Sequence, residues 1–152
     1  MLRVYISKSQ RIIFYSSIAF NMEQLENIFL ETKKILEKNS ETFLVKDQYI
    51  GSQAKQKKAG YHLYGSKRIS IFGKKSQPTY IAGVIQQKSY ISFYFSPIYS
   101  HPELFSDISP NLRKVLKGKS CYNINKTSPQ LLIEIESILE KGINKYKEIE
   151  WI

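Results

Sequence analysis

Side chains that could carry catalytic or metal chemistry are few, and their spacing matches no known reaction. Cys121 is the only thiol, and a lone cysteine in a strand is more often a small buried hydrophobe than a nucleophile. His62 and His101 are too far apart for a local metal motif. Glu103 and Asp107 are one helical turn apart beside a proline, which is typical of charges that stabilise a helix N-terminus. The glycine-rich motifs of nucleotide binding are absent from the sequence, so we expect a binding protein rather than an enzyme, with no catalytic residue and no cofactor.

Tyrosines and lysines form the remaining pattern with a chemical meaning. Tyr90 and Tyr94 share one side of a predicted strand, and Tyr80 lies on the preceding strand. Rings surrounded by cations suit an anionic ligand or single-stranded nucleic acid, although tyrosines in strands also serve packing alone. The residues predicted to contact a ligand are Tyr80, Tyr90, Tyr94, Lys88, Tyr99 and Cys121. The predicted basic rim consists of Lys55, Lys57, Lys58, Lys67 and Arg68.

Positive charge is concentrated in the middle of the chain. The formal net charge is +10, and segment 48–102 accounts for +8 of it, because that segment contains 8 lysines and arginines and no acidic residue. A field of this kind attracts anionic partners, although a solvated basic surface is the alternative. We therefore expect a small anionic ligand or a protein partner on a tyrosine-lined, lysine-rimmed face of the sheet. Binding of single-stranded nucleic acid through segment 48–102 is an alternative.

Two paired strands must position these tyrosines. From residue 89 to 96 the side chains alternate, so that one set faces the core and the tyrosine set faces the other way. The core set is Ile91, Phe93 and Phe95. The run 79–86 is rich in β-branched and aromatic residues, and a short polar link after it suits an antiparallel hairpin. Gly83 within that run predicts a bulge or the close approach of a bulky group.

Helical periodicity surrounds these strands. A helix is predicted from about Met22 to Lys38, with Asn21 as its N-cap. Ser-Pro pairs at residues 109 and 128 begin two further helices, and the last of them has a long apolar face that needs a flat surface. We predict an α+β fold in which helices pack on one face of an antiparallel sheet of about five to six strands.

The length of 152 residues fits one domain with a single core, which we assign to residues 22–152. Residues 1–21 are either two edge strands, at 2–7 and 12–20, or an extension that precedes the domain. A single cysteine cannot form an internal disulfide, and no apolar run approaches the ~20 residues of a membrane helix. We expect a cytoplasmic monomer or small homo-oligomer without membrane contact.

Several segments, in chain order, resemble one known family. They are Tyr80-Ile81-Ala82-Gly83-Val84, Tyr90-Ile91-Ser92-Phe93-Tyr94, Pro97-Ile98-Tyr99, Pro102-Glu103-Leu104, Ile108-Ser109-Pro110 with Leu112, and Gly118-Lys119-Ser120-Cys121-Tyr122-Asn123. These segments are similar to YdhG-like domains of unknown function, over residues 22–147 and most strongly over 80–125. The resemblance implies a frataxin-like α+β sandwich, in a group that includes a bacterial frataxin-like iron chaperone and whose members mostly have no assigned activity.

The resemblance makes iron binding or delivery a second alternative. Frataxins resemble one another in an acidic ridge on the first helix and the sheet edge, where hard oxygen ligands suit iron. Here Glu23 and Glu26 share a helix face, with Glu31 loosely beside them and lysines in between. Because segment 48–102 repels cations, the charges disfavour iron, and we predict no metal ligand.

Overall fold

Six strands form one open antiparallel sheet in the computed structural model, which describes residues 7–49, 60–71 and 73–152. The helices are α1 (Lys8–Glu37), α2 (Ser96–Ser100), a 3₁₀ helix (Pro102–Phe105), α3 (Pro110–Val115) and α4 (Pro129–Glu148). The strands are β1 (Leu44–Lys46), β2 (Gly60–Ile69), β3 (Gln77–Gln86), β4 (Ile91–Phe95), β5 (Leu116–Lys117) and β6 (Cys121–Ile124). The predicted α+β class is confirmed.

The strands follow the order β1-β2-β3-β4-β6-β5, and every neighbouring pair is antiparallel. The predicted hairpin is β3-β4, in which Val84 lies opposite Phe93. Phe93 in turn lies opposite Tyr122 of β6, so a row of large side chains crosses the middle of the sheet. These central strands form the floor on which both long helices pack.

Helices α1 and α4 pack on one face of the sheet, and the opposite face, which carries His62, Gly83 and Tyr94, is named the open face. The predicted core set of β4 is confirmed, since Ile91, Phe93 and Phe95 are completely buried. The core also includes large residues of both helices, namely Leu25, Ile28, Leu36, Ile135, Leu139 and Ile143. The alternation along β4 therefore directs its serine and tyrosine side chains to the open face, where the candidate site lies.

Helix α1 begins earlier than predicted. Ser7 is its N-cap: the Ser7 hydroxyl accepts a hydrogen bond from Gln10 N at 3.3 Å, and Ser7 N donates to Gln10 Oε1 at 3.0 Å. The predicted helix start at Met22 and the predicted edge strand at 12–20 are therefore wrong, while the predicted strand at 2–7 lies outside the described residues except at Ser7. Residues 7–23 are exposed, and the first buried residue of α1 is Leu25.

The later helices begin where the sequence predicted. Leu112 N donates to the Ser109 hydroxyl at 3.1 Å, and Leu131 N donates to the Ser128 hydroxyl at 3.1 Å. In each case a proline follows the capping serine, because its missing N–H is not needed in the first turn. Among the helices of the described residues, none combines the length and apolar character needed to cross a membrane.

Candidate ligand-binding site

The open face of the sheet is built around a glycine. Gly83 on β3 lies between His62 on β2 and Tyr94 on β4, and these three positions are direct partners in the pairing register. Cys121 on β6 continues this row beyond Tyr94. Since Gly83 has no side chain, the row has a gap at its centre.

A bulge in β3 places the Tyr80 side chain over this gap. Leu63 pairs with Ala82, but the next residue of β2, Tyr64, pairs with Tyr80, so Ile81 is an extra residue in β3. An extra residue reverses the direction of the side chains beyond it. Ile81 and Ala82 are both completely buried, and Tyr80 turns to the open face.

His62 and Tyr80 fill the space above Gly83. Their Nδ1 and hydroxyl oxygen are 3.0 Å apart, within hydrogen-bond distance. A Cβ atom at residue 83 would overlap both of these atoms, so only glycine fits beneath the pair. The sequence-based expectation of a bulge or a close approach at Gly83 is thus met by two side chains from the sheet itself.

Burial keeps the His62–Tyr80 pair neutral. It raises the pKa of the Tyr80 phenol well above its ordinary value, with nearby tyrosines adding to the effect. It also lowers the pKa of the His62 imidazole, against the weaker opposing effect of Asp47. His62 Nε2 is buried without a hydrogen-bond partner among the described residues. Two neutral groups therefore share one hydrogen bond on this face of the sheet.

A cavity of about 600 Å³ opens next to this pair. Its walls include five tyrosines, from the sheet, helix α2, helix α4 and the segment after β1. They are Tyr49, Tyr80, Tyr94, Tyr99 and Tyr146. Lys74 is the charged side chain in the wall, and no described Asp or Glu lines the cavity. The cavity thus offers aromatic surface and hydroxyl groups beside a positive charge.

Hydroxyl groups of α2 and α4 form a network at the cavity wall. The Tyr146 hydroxyl donates to Ser96 Oγ at 3.2 Å and lies 2.8 Å from Ser100 Oγ. Ser100 Oγ is also 2.9 Å from His101 Nδ1. Burial raises the pKa of Tyr146, so this hydroxyl keeps its proton at neutral pH. The network fixes the direction of the Ser96 and Ser100 side chains.

The C-terminal residues fold back to complete the wall. Glu150 has a φ of 59°, a left-handed conformation that reverses the chain after α4. Trp151 N then donates to Tyr146 O at 2.8 Å, and Thr79 Oγ1 donates to Trp151 O at 2.9 Å. The indole ring packs 5.1 Å from the Tyr146 ring and lines the cavity. The sequence analysis missed Trp151, which only its position after an apolar helix could have indicated.

The predicted ligand-contacting residues divide into two groups. Tyr80, Tyr94 and Tyr99 line the cavity. The other three lie outside it: Tyr90 is half-buried before β4, Lys88 is exposed in the β3-β4 turn, and Cys121 is half-buried on β6. The Cys121 thiol donates to Asn123 Oδ1 at 3.3 Å, and burial raises its pKa.

The basic rim takes a partly different form from the one predicted. Lys67 and Arg68 are exposed on β2, and Arg68 Nη2 donates to Ser76 O at 2.9 Å. The predicted rim residues Lys55, Lys57 and Lys58 lie outside the described residues. Two lysines that the sequence analysis did not select lie in or near the cavity wall. Lys74 lines the cavity, and Lys119 Nζ is 5.6 Å from the centre of the Tyr99 ring.

Comparisons with family models, curated proteins and solved structures found no match for this chain. In residues 7–49, 60–71 and 73–152, no three His, Cys, Asp or Glu side chains come together in a group that could hold a metal ion. The site is therefore interpreted from its own geometry.

Proposed function

We propose that this chain binds a small anionic ligand in the cavity on the open face of its sheet. One observation carries the proposal: a cavity of about 600 Å³ is walled by tyrosines and serines beside Lys74, without a carboxylate among its described lining residues. Ligand sites typically have about 300–1,000 Å³, mostly apolar and aromatic walls and a few polar groups. This cavity has that size and that composition.

The charges favour an anion over a cation. Neither Lys74 nor Lys119 has a carboxylate partner in the described part of the chain, so both ammonium groups are available to a ligand. Segment 48–102, which supplies most of the lining residues, carries +8 from 8 basic and no acidic residues, and a positive field raises the local concentration of anions. A metal cation would find repulsion here and few ligands other than His62 and hydroxyl groups.

A binding role agrees better with the side chains than a catalytic one. The Cys121 thiol lies outside the cavity, and burial raises its pKa, which reduces the nucleophilic thiolate. Burial likewise raises the pKa values of Tyr80 and Tyr146, so neither phenol is an activated nucleophile. The half-buried lone thiol supports a reducing compartment, and we propose a cytoplasmic location.

The cavity also favours a small ligand over a nucleic-acid strand or a protein surface. Successive bases need exposed ring faces, whereas the Tyr80 ring is enclosed by Tyr49, Tyr64 and His62. A concave pocket suits a molecule that can enter it. The similarity to YdhG-like domains stays a prediction, and the proposal does not depend on it.

A thermal-shift screen at low salt tests the proposal. The panel contains carboxylates, phosphate monoesters and sulfonates, each beside its uncharged analogue. A ligand at 100 times its Kd stabilises a protein by about 2.7 kcal/mol, which corresponds to about 5 to 10 °C in Tm for a chain of this size. We expect anions to raise Tm and their neutral analogues not to.

Variants locate the binding in the cavity. Tyr94→Ala and Lys74→Glu should each remove the shift, because both side chains line the cavity. Lys88→Glu changes the same charge on an exposed turn outside the cavity and is the matched control. If no anion raises Tm, or if the shift survives both cavity variants, the proposal is wrong.

A further inference from the structure

The ring-lined part of the cavity is shaped by edge-to-face aromatic contacts. Tyr49 and Tyr80 meet at 4.9 Å between ring centres with an interplanar angle of 82°, and His62 lies 5.8 Å from Tyr80. Tyr94 adds a further ring across from Gly83. Aromatic rings prefer this tilted or offset contact with one another, and the preference extends to an aromatic ligand that packs in the cavity against Tyr49 and Tyr94. A saturated molecule would gain the free energy of apolar contact but not the additional free energy of ring–ring contact.

The hydroxyl-lined part offers two serine donors on neighbouring segments. Phe95 N donates to Ser120 O at 2.8 Å, which holds Ser96 beside Ser120. Ser96 Oγ accepts a bond from Tyr146, so its own proton remains to be donated. The Ser120 hydroxyl has no partner among the described residues. Both serines line the cavity, and each can donate to an oxygen of a bound anion.

Two lysines add positive charge, Lys74 from the cavity wall and Lys119 from next to it. Lys119 directly precedes Ser120, and its ammonium lies above the Tyr99 ring at the cavity wall. Lys74 contributes the second charge. Hydrogen bonds that end on a charged group are about twice as strong as neutral ones, so serines beside lysines suit a carboxylate or a phosphate.

We infer that the ligand is a planar aromatic ring that carries one anionic group. Tyr49 and Tyr94 contact the ring, while Ser96 and Ser120 donate to the anion and Lys74 and Lys119 supply positive charge near it. This inference rests on the proposed function and narrows it to one chemical class. Aromatic carboxylates and mononucleotides share this chemistry, and the experiment below separates them.

Calorimetric titration of the full chain with small matched probes tests the inference. Phenyl phosphate has both the ring and the charge, cyclohexyl phosphate has the charge without an aromatic ring, and phenol has the ring without a charge. Ring–ring contacts predict a Kd for phenyl phosphate that is about tenfold lower than that for cyclohexyl phosphate. Benzoate has the same ring with a carboxylate in place of the phosphate, so its Kd beside that of phenyl phosphate shows which anion the site prefers. Adenosine monophosphate shows whether a mononucleotide fits the cavity.

Two variants test which part of the cavity binds the anionic group and which part binds the ring. Ser120→Ala should weaken phenyl phosphate about tenfold and leave phenol unchanged, because it removes one donor to a charged oxygen. Tyr94→Leu keeps apolar bulk, and it should abolish the preference for phenyl over cyclohexyl phosphate. Ser89→Ala, on the exposed β3-β4 turn, is the control, and the circular dichroism spectrum of each variant confirms its fold.

The outcomes separate the inference from the proposed function. If cyclohexyl and phenyl phosphate bind equally and Tyr94→Ala still removes binding, the aromatic inference is overturned while anion binding stands. If phenol binds as tightly as phenyl phosphate and Ser120→Ala changes nothing, the anion-binding part is overturned. If no probe binds and no anion raises Tm, both proposals fail.

Discussion

Replacing Gly83 with alanine tests the packing that forms the aromatic wall. Alanine is intrinsically better than glycine in a strand, so propensity alone predicts a small stabilisation. In this sheet the new Cβ would overlap His62 Nδ1 and the Tyr80 hydroxyl oxygen. Overpacking a tight site costs about 1–3 kcal/mol, and a lost buried hydrogen bond adds about 1 kcal/mol. We expect Gly83→Ala to lower the free energy of unfolding by about 2–4 kcal/mol, measured by urea denaturation.

A double-mutant cycle with Tyr80→Phe gives this experiment its control. Phenylalanine lacks the oxygen that the Cβ would overlap, so Gly83→Ala should cost at least about 1 kcal/mol less in the Tyr80→Phe background. The difference is the coupling between residue 83 and the tyrosine hydroxyl. A Gly83→Ala protein as stable as the wild type, or an equal cost in both backgrounds, would refute the packing argument.

Two further perturbations test the burial of His62 and the exposure of the N-terminal segment. Burial lowers the pKa of His62 below its ordinary 6.5, so the unfolded chain binds a proton first as the pH falls. The stability that neutral His62 contributes is complete above pH ~6.5 and is lost as the pH falls through the lowered pKa of the folded state. The free energy of unfolding of the wild type should therefore fall more than that of His62→Asn between about pH 7 and pH 5. Equal losses in the two proteins would contradict the burial of a neutral His62. Deleting residues 1–21 should change Tm by less than about 2 °C, because residues 7–23 are exposed. A fall of more than about 5 °C would place this segment in the folded core.

Local patterns predicted most of the fold. The alternation that ends in Ile91, Phe93 and Phe95 gave the correct buried face of β4, because a strand with one covered face repeats every second residue. Ser109 and Ser128, each followed by proline, marked true helix starts, because a cap is satisfied by its own neighbours. These features need no information about distant parts of the chain.

The first half of α1 was mispredicted because it has no packing partner in the part of the chain that the structure describes. Residues 12–15 are all large and apolar, and all four are exposed. Their sequence therefore lacks the helical alternation between polar, solvent-facing residues and apolar, buried ones. The run therefore resembles a strand. The capping box of Ser7 and Gln10 was the one signal in the sequence that indicated the true start.

The site was only partly predictable because its walls come from distant segments. Tyr94 could be assigned to the open face from the alternation of β4 alone. Lys74, Trp151 and Tyr146 reach the same cavity from a hairpin, the C-terminus and α4, and no spacing in the sequence connects them. Tyr90 was selected because it shares one side of the predicted strand with Tyr94, and Lys88 as a lysine beside these rings, but the β3-β4 turn holds both outside the cavity.

Tyr80 was predicted to join Tyr90 and Tyr94 because it lies on the preceding strand, but the regular geometry of a strand would not place it on their face. In a regular strand, Tyr80 and Ala82 would point to the same side, which is the helix-covered side, and the space above Gly83 would stay empty. The extra residue Ile81 allows β3 to bury Ile81 and Ala82 in the core while Tyr80 turns to the open face. Core contacts of Ile81, rather than a ligand, therefore supply the free energy that holds the Tyr80 ring in place. A wall formed in this way needs no ligand to hold it, so the proposed binding would not have to order it.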